Sequence, residues 1–139
     1  MIKDSRKVTV LDFKDKLILT ILGSYEDQAL AELINLRNCL QAKGYAKCRL
    51  VCDYPFPYKN HKETSDQYFY RKSIYWLENS DACIFVFLDG VKNDGVAFEL
   101  QYACEHLECK LTTCLVAVDS KATRYTTSLL RGKIANRRR

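Results

Sequence analysis

Residues 79–107, NSDACIFVFLDGVKNDGVAFELQYACEHL, constrain the fold more than any other part of the chain. They open with an unbroken apolar run, Ala82 to Leu88, rich in β-branched and aromatic residues and closed by Asp89-Gly90. A strand with one wet face alternates, so continuous apolarity predicts a strand buried on both faces. Beyond a loop with two glycines, Val96, Leu100, Ala103 and Leu107 recur at helical spacing and form a stripe that would face a core. The segment reads as strand, loop and helix. Open α/β sheets bind ligands outside the carboxyl ends of their strands, which makes Asp89, Asn93, Asp94 and Glu99 the first candidate site residues.

The same alternation of elements runs through the rest of the chain. Val8 to Phe13 and Leu17 to Leu22 read as strands, the second with the continuous apolarity of a central one. After Gly23-Ser24, with Ser24 and Asp27 spaced as a capping box, Ala29, Leu33, Leu36 and Leu40 define a helix that ends at Gly44. Cys48 to Cys52 is a short second strand. The connection DYPFPYKNHKETS is long enough to be a lid. A helix over Asp66 to Glu78, the central strand, a helix from Asp94 to about Glu108, a strand Lys110 to Val118 and a last helix near 126–135 complete the order. Strands at 17–22, 47–52, 82–88 and 111–118 separated by helices predict a doubly wound parallel sheet of the flavodoxin-like or Rossmann-like class. It has about four to five strands and helices on both faces.

With 139 residues the chain accommodates one α/β domain, 1–139, with a single core. No run approaches the length of a membrane span, and the charged start MIKDSRKVTV does not read as a signal peptide, so the expected location is cytoplasmic with no membrane partner. Seven cysteines form no CxxC and only two histidines are present, so no metal is expected. The formal charge of +5 is concentrated in a basic tail from about 121, which carries seven basic residues and no acid. Weak contact with nucleic acid is one role for that tail; solvated charge at a terminus is the other. With neither GxGxxG after the first strand nor GxxxxGK[ST], dinucleotide redox chemistry and a Walker-type phosphate loop lose their usual fingerprints.

Glu99 lies about one and a half turns into the helix that leaves the sheet's carboxyl edge, beside the core stripe. There the helix N-terminus would favour its ionised form, suited to a nucleophile or to stabilising a developing cation. Asp81, Asp89 and Asp94 would add polar contacts. Read from spacing alone, Glu99 is equally a solvated helical residue and the aspartates turn formers.

The pairing of NSDACIFVFLDG with NDGVAFELQYA resembles the nucleoside 2-deoxyribosyltransferase family, whose D-x-G-x-x-x-E-x-G-x-A segment opens the helix after a central strand. ILGSYEDQALAELINLRNCLQAKGY is similar to that family's first strand, turn and helix, so the resemblance covers most of residues 17–118. It implies Glu99 as the nucleophile that attacks the anomeric carbon of a nucleoside, Asp81 as a contact to the base, and Gly23, Ser24 and Tyr25 as pocket lining. It also implies a nucleoside or nucleotide as small-molecule partner, no cofactor, and a homo-oligomer, dimer or higher. For the dimer surface the sequence offers the aromatic-rich stretch Tyr68, Phe69, Tyr70, Tyr75 and Trp76. Asn93 stands where the family has an aspartate, and Gln101 where it has a glycine. Two other functions fit the same residues: a TIR-like glycohydrolase of NAD or nucleotides, with Lys59, Lys62, Arg71 or Lys92 on a phosphate, and a non-catalytic nucleotide-binding or protein-interaction module.

Overall fold

The computed structural model describes residues 13–107 and the backbone of 114–118. The elements run β1 (Leu19–Leu22), α1 (Asp27–Ala42), β2 (Cys48–Leu50), a 3₁₀ turn (Val51–Asp53), α2 (Ser65–Asn79), β3 (Ala82–Phe87), α3 (Asp94–His106) and β4 (Cys114–Val118). The four strands form one parallel sheet in the order β2-β1-β3-β4. Leu19 pairs with Cys48 on one side and Ala82 on the other, which makes β1 and β3 the central strands. The chain is thus an α/β protein with a parallel sheet. The strand expected at 8–13 and the last helix near 126–135 lie outside the described residues, apart from Phe13, which opens a tight turn accepting from the Lys16 and Leu17 amides.

Side-chain alternation along the strands sends residues to two cores. Leu19, Ile21, Leu50, Ile84 and Val86 pack with Leu33 of α1 on one face. Leu22, Cys83, Phe85 and Phe87 pack with Leu77 of α2 and Val96, Leu100 and Ala103 of α3 on the other. The stripe read from the sequence is therefore the buried face of α3. Leu33 is fully buried, and truncating it to alanine would cost about 2–5 kcal/mol. Gly23 closes β1 where a side chain would be crowded: a Cβ there would sit 3.0 Å from Leu33 Cδ2 and 3.2 Å from the Val86 carbonyl oxygen. At the far end of α1, Gly44 takes φ +106°, the left-handed geometry that ends helices.

Local contacts redraw three of the sequence boundaries. The second strand stops at Leu50, because the Asp53 carboxylate accepts the Leu50 amide at 2.8 Å and the Arg37 guanidinium at 2.8 Å, and so bends the chain into the 3₁₀ turn. Ser24 and Asp27 form no capping box: α1 begins after Glu26, whose amide donates to Ser24 Oγ at 3.3 Å, with no side chain capping the helix. α2 has the reciprocal cap, with Thr64 Oγ1 accepting from the Gln67 amide at 3.1 Å and Gln67 Oε1 accepting from the Thr64 amide at 3.0 Å.

The long connection before α2 is bound to that helix and contributes no lining to the cleft described below, so the lid expectation is not met. Trp76 Nε1 donates to the Phe56 carbonyl at 2.7 Å, Tyr68 OH to Pro57 at 2.8 Å and Arg71 Nη2 to Tyr58 at 2.7 Å. Tyr54 stacks on Trp76 with ring centroids 3.6 Å apart. A buried chain of hydroxyls holds Tyr54 in place. Ser80 Oγ donates to the Trp76 carbonyl, which leaves Thr20 Oγ1 to donate to Ser80 at 2.6 Å and Tyr54 OH to donate to Thr20 at 2.7 Å. Much of the aromatic surface read from the sequence is consumed in this way. Phe69 and Tyr70 remain exposed.

Candidate active site

A cleft of about 400 Å³ opens at the carboxyl edge of β1, between the Gly23-Ser24-Tyr25 turn and helices α2 and α3. The close approach at Gly23 brings this turn against the sheet. Tyr25 then spans two neighbours, its ring edge-on to Phe69 at 5.4 Å and its hydroxyl oxygen accepting the Cys52 amide at 3.2 Å. Burial, with the Cys52 thiol beside it, raises the Tyr25 hydroxyl well above its ordinary range, so the phenol keeps its proton. From α2 come Asp66, Phe69, Tyr70, Ser73 and Ile74, and from α3 and its leading loop come Lys92, Gly95, Val96, Phe98 and Glu99.

Glu99 is the half-buried carboxyl of this cleft, and its environment reverses one sequence expectation. Desolvation raises it from 4.5 to about 7, and the neighbouring Ser73 hydroxyl only partly offsets that. A residue in the second turn of α3 gains too little from the helix N-terminus to overcome loss of water on the side covered by α2. At neutral pH Glu99 therefore divides between acid and carboxylate. Ser73 is 4% exposed, and its Oγ has no partner that meets hydrogen-bond geometry. An unmatched buried hydroxyl beside a desolvated carboxyl is costly in an empty cleft and is relieved by a ligand that hydrogen-bonds to both.

The predicted site residues divide sharply. Glu99, Gly23, Ser24 and Tyr25 converge on the cleft. Asp81 does not: it precedes β3 at the amino end of the sheet, and its Oδ2 accepts the Ile18 amide at 2.8 Å, so the expected base contact is replaced by a strand-to-strand tie. Asp89 lines a separate recess beside α1 with Gln28, Glu32 and Val91, and its Oδ1 is buried without a partner. Asn93 turns inward on its own loop, Nδ2 donating to the Leu88 carbonyl at 2.9 Å and Oδ1 accepting the Leu88 amide at 3.3 Å. Asp94 is exposed in the first turn of α3 and does not line the cleft. Of the cations considered for a phosphate, Lys92 reaches the cleft, whereas Arg71 is paired with Glu63 at 2.8 Å.

Ser73, Asp66 and Phe98 were missed as site residues. A signal for Ser73 existed: it is the polar break in the helical stripe Phe69, Ser73, Leu77. Phe98 carried the opposite signal, an aromatic off the core stripe of α3, and it is 54% exposed. Among the described residues no group of three or more histidine, cysteine or acidic side chains is placed to hold a metal ion, and no helix is long and apolar enough to cross a membrane. Comparison with family models, curated proteins and solved structures gave no match.

Proposed function

We propose that the chain is a doubly wound, flavodoxin-like domain that binds a nucleoside or nucleotide in this cleft and cleaves or exchanges its N-glycosidic bond through Glu99. The observation that carries this reading is the convergence of Glu99 with the Gly23-Ser24-Tyr25 turn on one aromatic-walled cleft. The strand order gives the cleft its place. β1 and β3 are neighbours whose following helices leave to opposite faces, and such a switch point opens a crevice at the carboxyl edge.

The chemistry follows from a desolvated carboxyl in a largely apolar cleft. Cleavage of an N-glycosidic bond passes through an oxocarbenium-like state, in which positive charge grows on the sugar. The ionised form of Glu99 attacks the anomeric carbon, the base leaves with the bonding electrons, and a glycosyl ester forms on Oε. Water or a second base then attacks the same carbon and frees the carboxylate. Developing positive charge on the sugar favours the ionised form that burial disfavours, so the interaction strengthens toward the transition state. The Ser73 hydroxyl is positioned to donate to Glu99 or to a sugar hydroxyl.

Base release from a nucleoside panel, followed chromatographically with wild type and Glu99→Gln, tests the proposal. Release by wild type and its loss in the variant are the expected results. A homodimer that uses helix α2 belongs to the same proposal; light scattering at micromolar concentration that shows a 16.1 kDa particle would remove that part. A second reading, a non-catalytic ligand-binding module, is favoured by Asn93, whose amide is occupied by its own loop. Ligand-dependent thermal stabilisation without base release would select it.

A further inference from the structure

Four aromatic rings, Tyr25, Phe69, Tyr70 and Phe98, line the cleft, together with two carboxyls, Asp66 and Glu99, and one lysine, Lys92. Phe69, Tyr70 and Phe98 are 42%, 51% and 54% exposed, a large outlay of aromatic surface for the mouth of a small pocket. Tyr70 and Phe98 form a tilted corner, with centroids 6.1 Å apart and planes at 56°. Aromatic faces beside carboxylates are the chemistry that recognises a flat cation.

Among the described residues the lining holds, beyond Glu99, no buried acid of the kind that a neutral substrate needs. A purine or pyrimidine leaving as an anion requires a proton at the moment of departure, usually from a positioned acid. Glu99 is committed to the anomeric carbon. Tyr25 holds its proton too firmly, Ser73 is a weaker acid still, and the Asn93 amide has no acidic proton and is closed onto Leu88. Asp66, on the first turn of α2, and Lys92, on the loop before α3, are both exposed at the rim.

Resting on the proposed N-glycoside chemistry, we propose that the cleft takes nucleosides whose base is already a positively charged heteroaromatic ring, such as an N-alkylated purine or a pyridinium. The ring lies in the corner of Tyr70 and Phe98 with Asp66 nearby, and the sugar faces Glu99 and Ser73. The step balances without a proton donor. Glu99 Oε bonds to the anomeric carbon, and the carbon–nitrogen bond breaks with its electron pair going to the ring nitrogen. The ring's positive charge is thereby cancelled and the base departs neutral. Water then attacks the glycosyl ester, its oxygen staying on the sugar while the carboxylate and one proton are released. Before bond breaking, the cationic ring also favours the ionised form of Glu99 across the cleft.

The test compares 7-methylguanosine with guanosine, and adds nicotinamide riboside as a pyridinium, with buffer rates subtracted. The expected result is a kcat/KM on the order of 100-fold higher for the two cationic nucleosides than for guanosine, whose base departs without the acid assistance it needs. Phe98→Ala and Tyr70→Ala should each raise KM for 7-methylguanosine by about tenfold and raise that for guanosine by less, because only the charged ring loses its cation–π contact. Guanosine turned over as fast as 7-methylguanosine would overturn this proposal and leave the N-glycosidase reading standing. Absence of base release from all three would overturn both.

Discussion

Asp81 and Glu99 flank the same strand, one before β3 and one on the helix after it, and they are held in opposite ways. Asp81 is exposed and occupied: its carboxylate fastens the Ile18 amide at 2.8 Å and so ties the start of β1 to the start of β3. Glu99 is half-buried, raised to about 7 by desolvation, and faces Ser73, whose hydroxyl has no hydrogen-bond partner. A carboxylate that has found a backbone donor contributes to the fold. One that burial destabilises is kept against its cost, and in a cleft that marks a place where a ligand interacts.

The contrast is broken most forcefully at Glu99. Glu99→Gln keeps the shape and removes the attacking oxygen's charge, so base release should fall on the order of a thousandfold or more in kcat with little change in ligand affinity. The same variant should change stability in a direction that an ordinary surface glutamate would not. The folded pKa of about 7 exceeds the reference value of 4.5, so Glu99's contribution is intact below 4.5 and is lost as pH rises through 7. Chemical denaturation at pH 8 should therefore find Glu99→Gln more stable than wild type by about 3 kcal/mol, with the difference vanishing near pH 4.

Next in size is Asp81. Asp81→Ala removes a charged acceptor from the Ile18 amide and should cost about 1–3 kcal/mol in urea unfolding while kcat/KM for base release stays within twofold. A change in base preference would erase the distinction between the two carboxyls. The smallest effect belongs to Ser73. Its hydroxyl favours the ionised form of Glu99, so the acid limb of the pH profile of kcat/KM should have its midpoint near 7 in wild type and move to higher pH in Ser73→Ala. Stability should fall by no more than about 1 kcal/mol, since the hydroxyl's contact with Glu99 falls short of good hydrogen-bond geometry.

The layout of strands and helices was legible because it depends on periodicity within each segment. The apolar run Ala82 to Leu88 and the stripe Val96, Leu100, Ala103 are local patterns, and they became β3 and the buried face of α3. Glu99 was legible for a related reason, since in a parallel sheet the carboxyl end of a strand is known from chain direction alone, whereas the Gly23-Ser24-Tyr25 turn was read as pocket lining only from the resemblance. What was not legible depends on contacts between distant segments. Ser73 faces Glu99 only because α2 packs beside α3, and the same packing strips water from Glu99 and raises it against the expectation of a fully ionised carboxylate. Asp81 was read as a base contact because its spacing before the strand fits the resemblance. Its partner, the Ile18 amide, comes from the neighbouring strand. Ser24 failed as a cap because the chain remains extended through Glu26, where φ is −65° and ψ 150°.

The most direct measurement is to look for the sugar on the protein. A nucleoside carrying fluorine at the sugar 2-position should slow hydrolysis of a glycosyl ester more than it prevents formation, because the electronegative substituent destabilises the oxocarbenium-like state. Intact-mass spectrometry after incubation should show a gain of one fluorosugar, peptide mapping should locate it on Glu99, and Glu99→Gln should show none. Base release by wild type with no sugar ever attached to Glu99, or undiminished release by Glu99→Gln, would contradict the assignment of that carboxylate as the nucleophile.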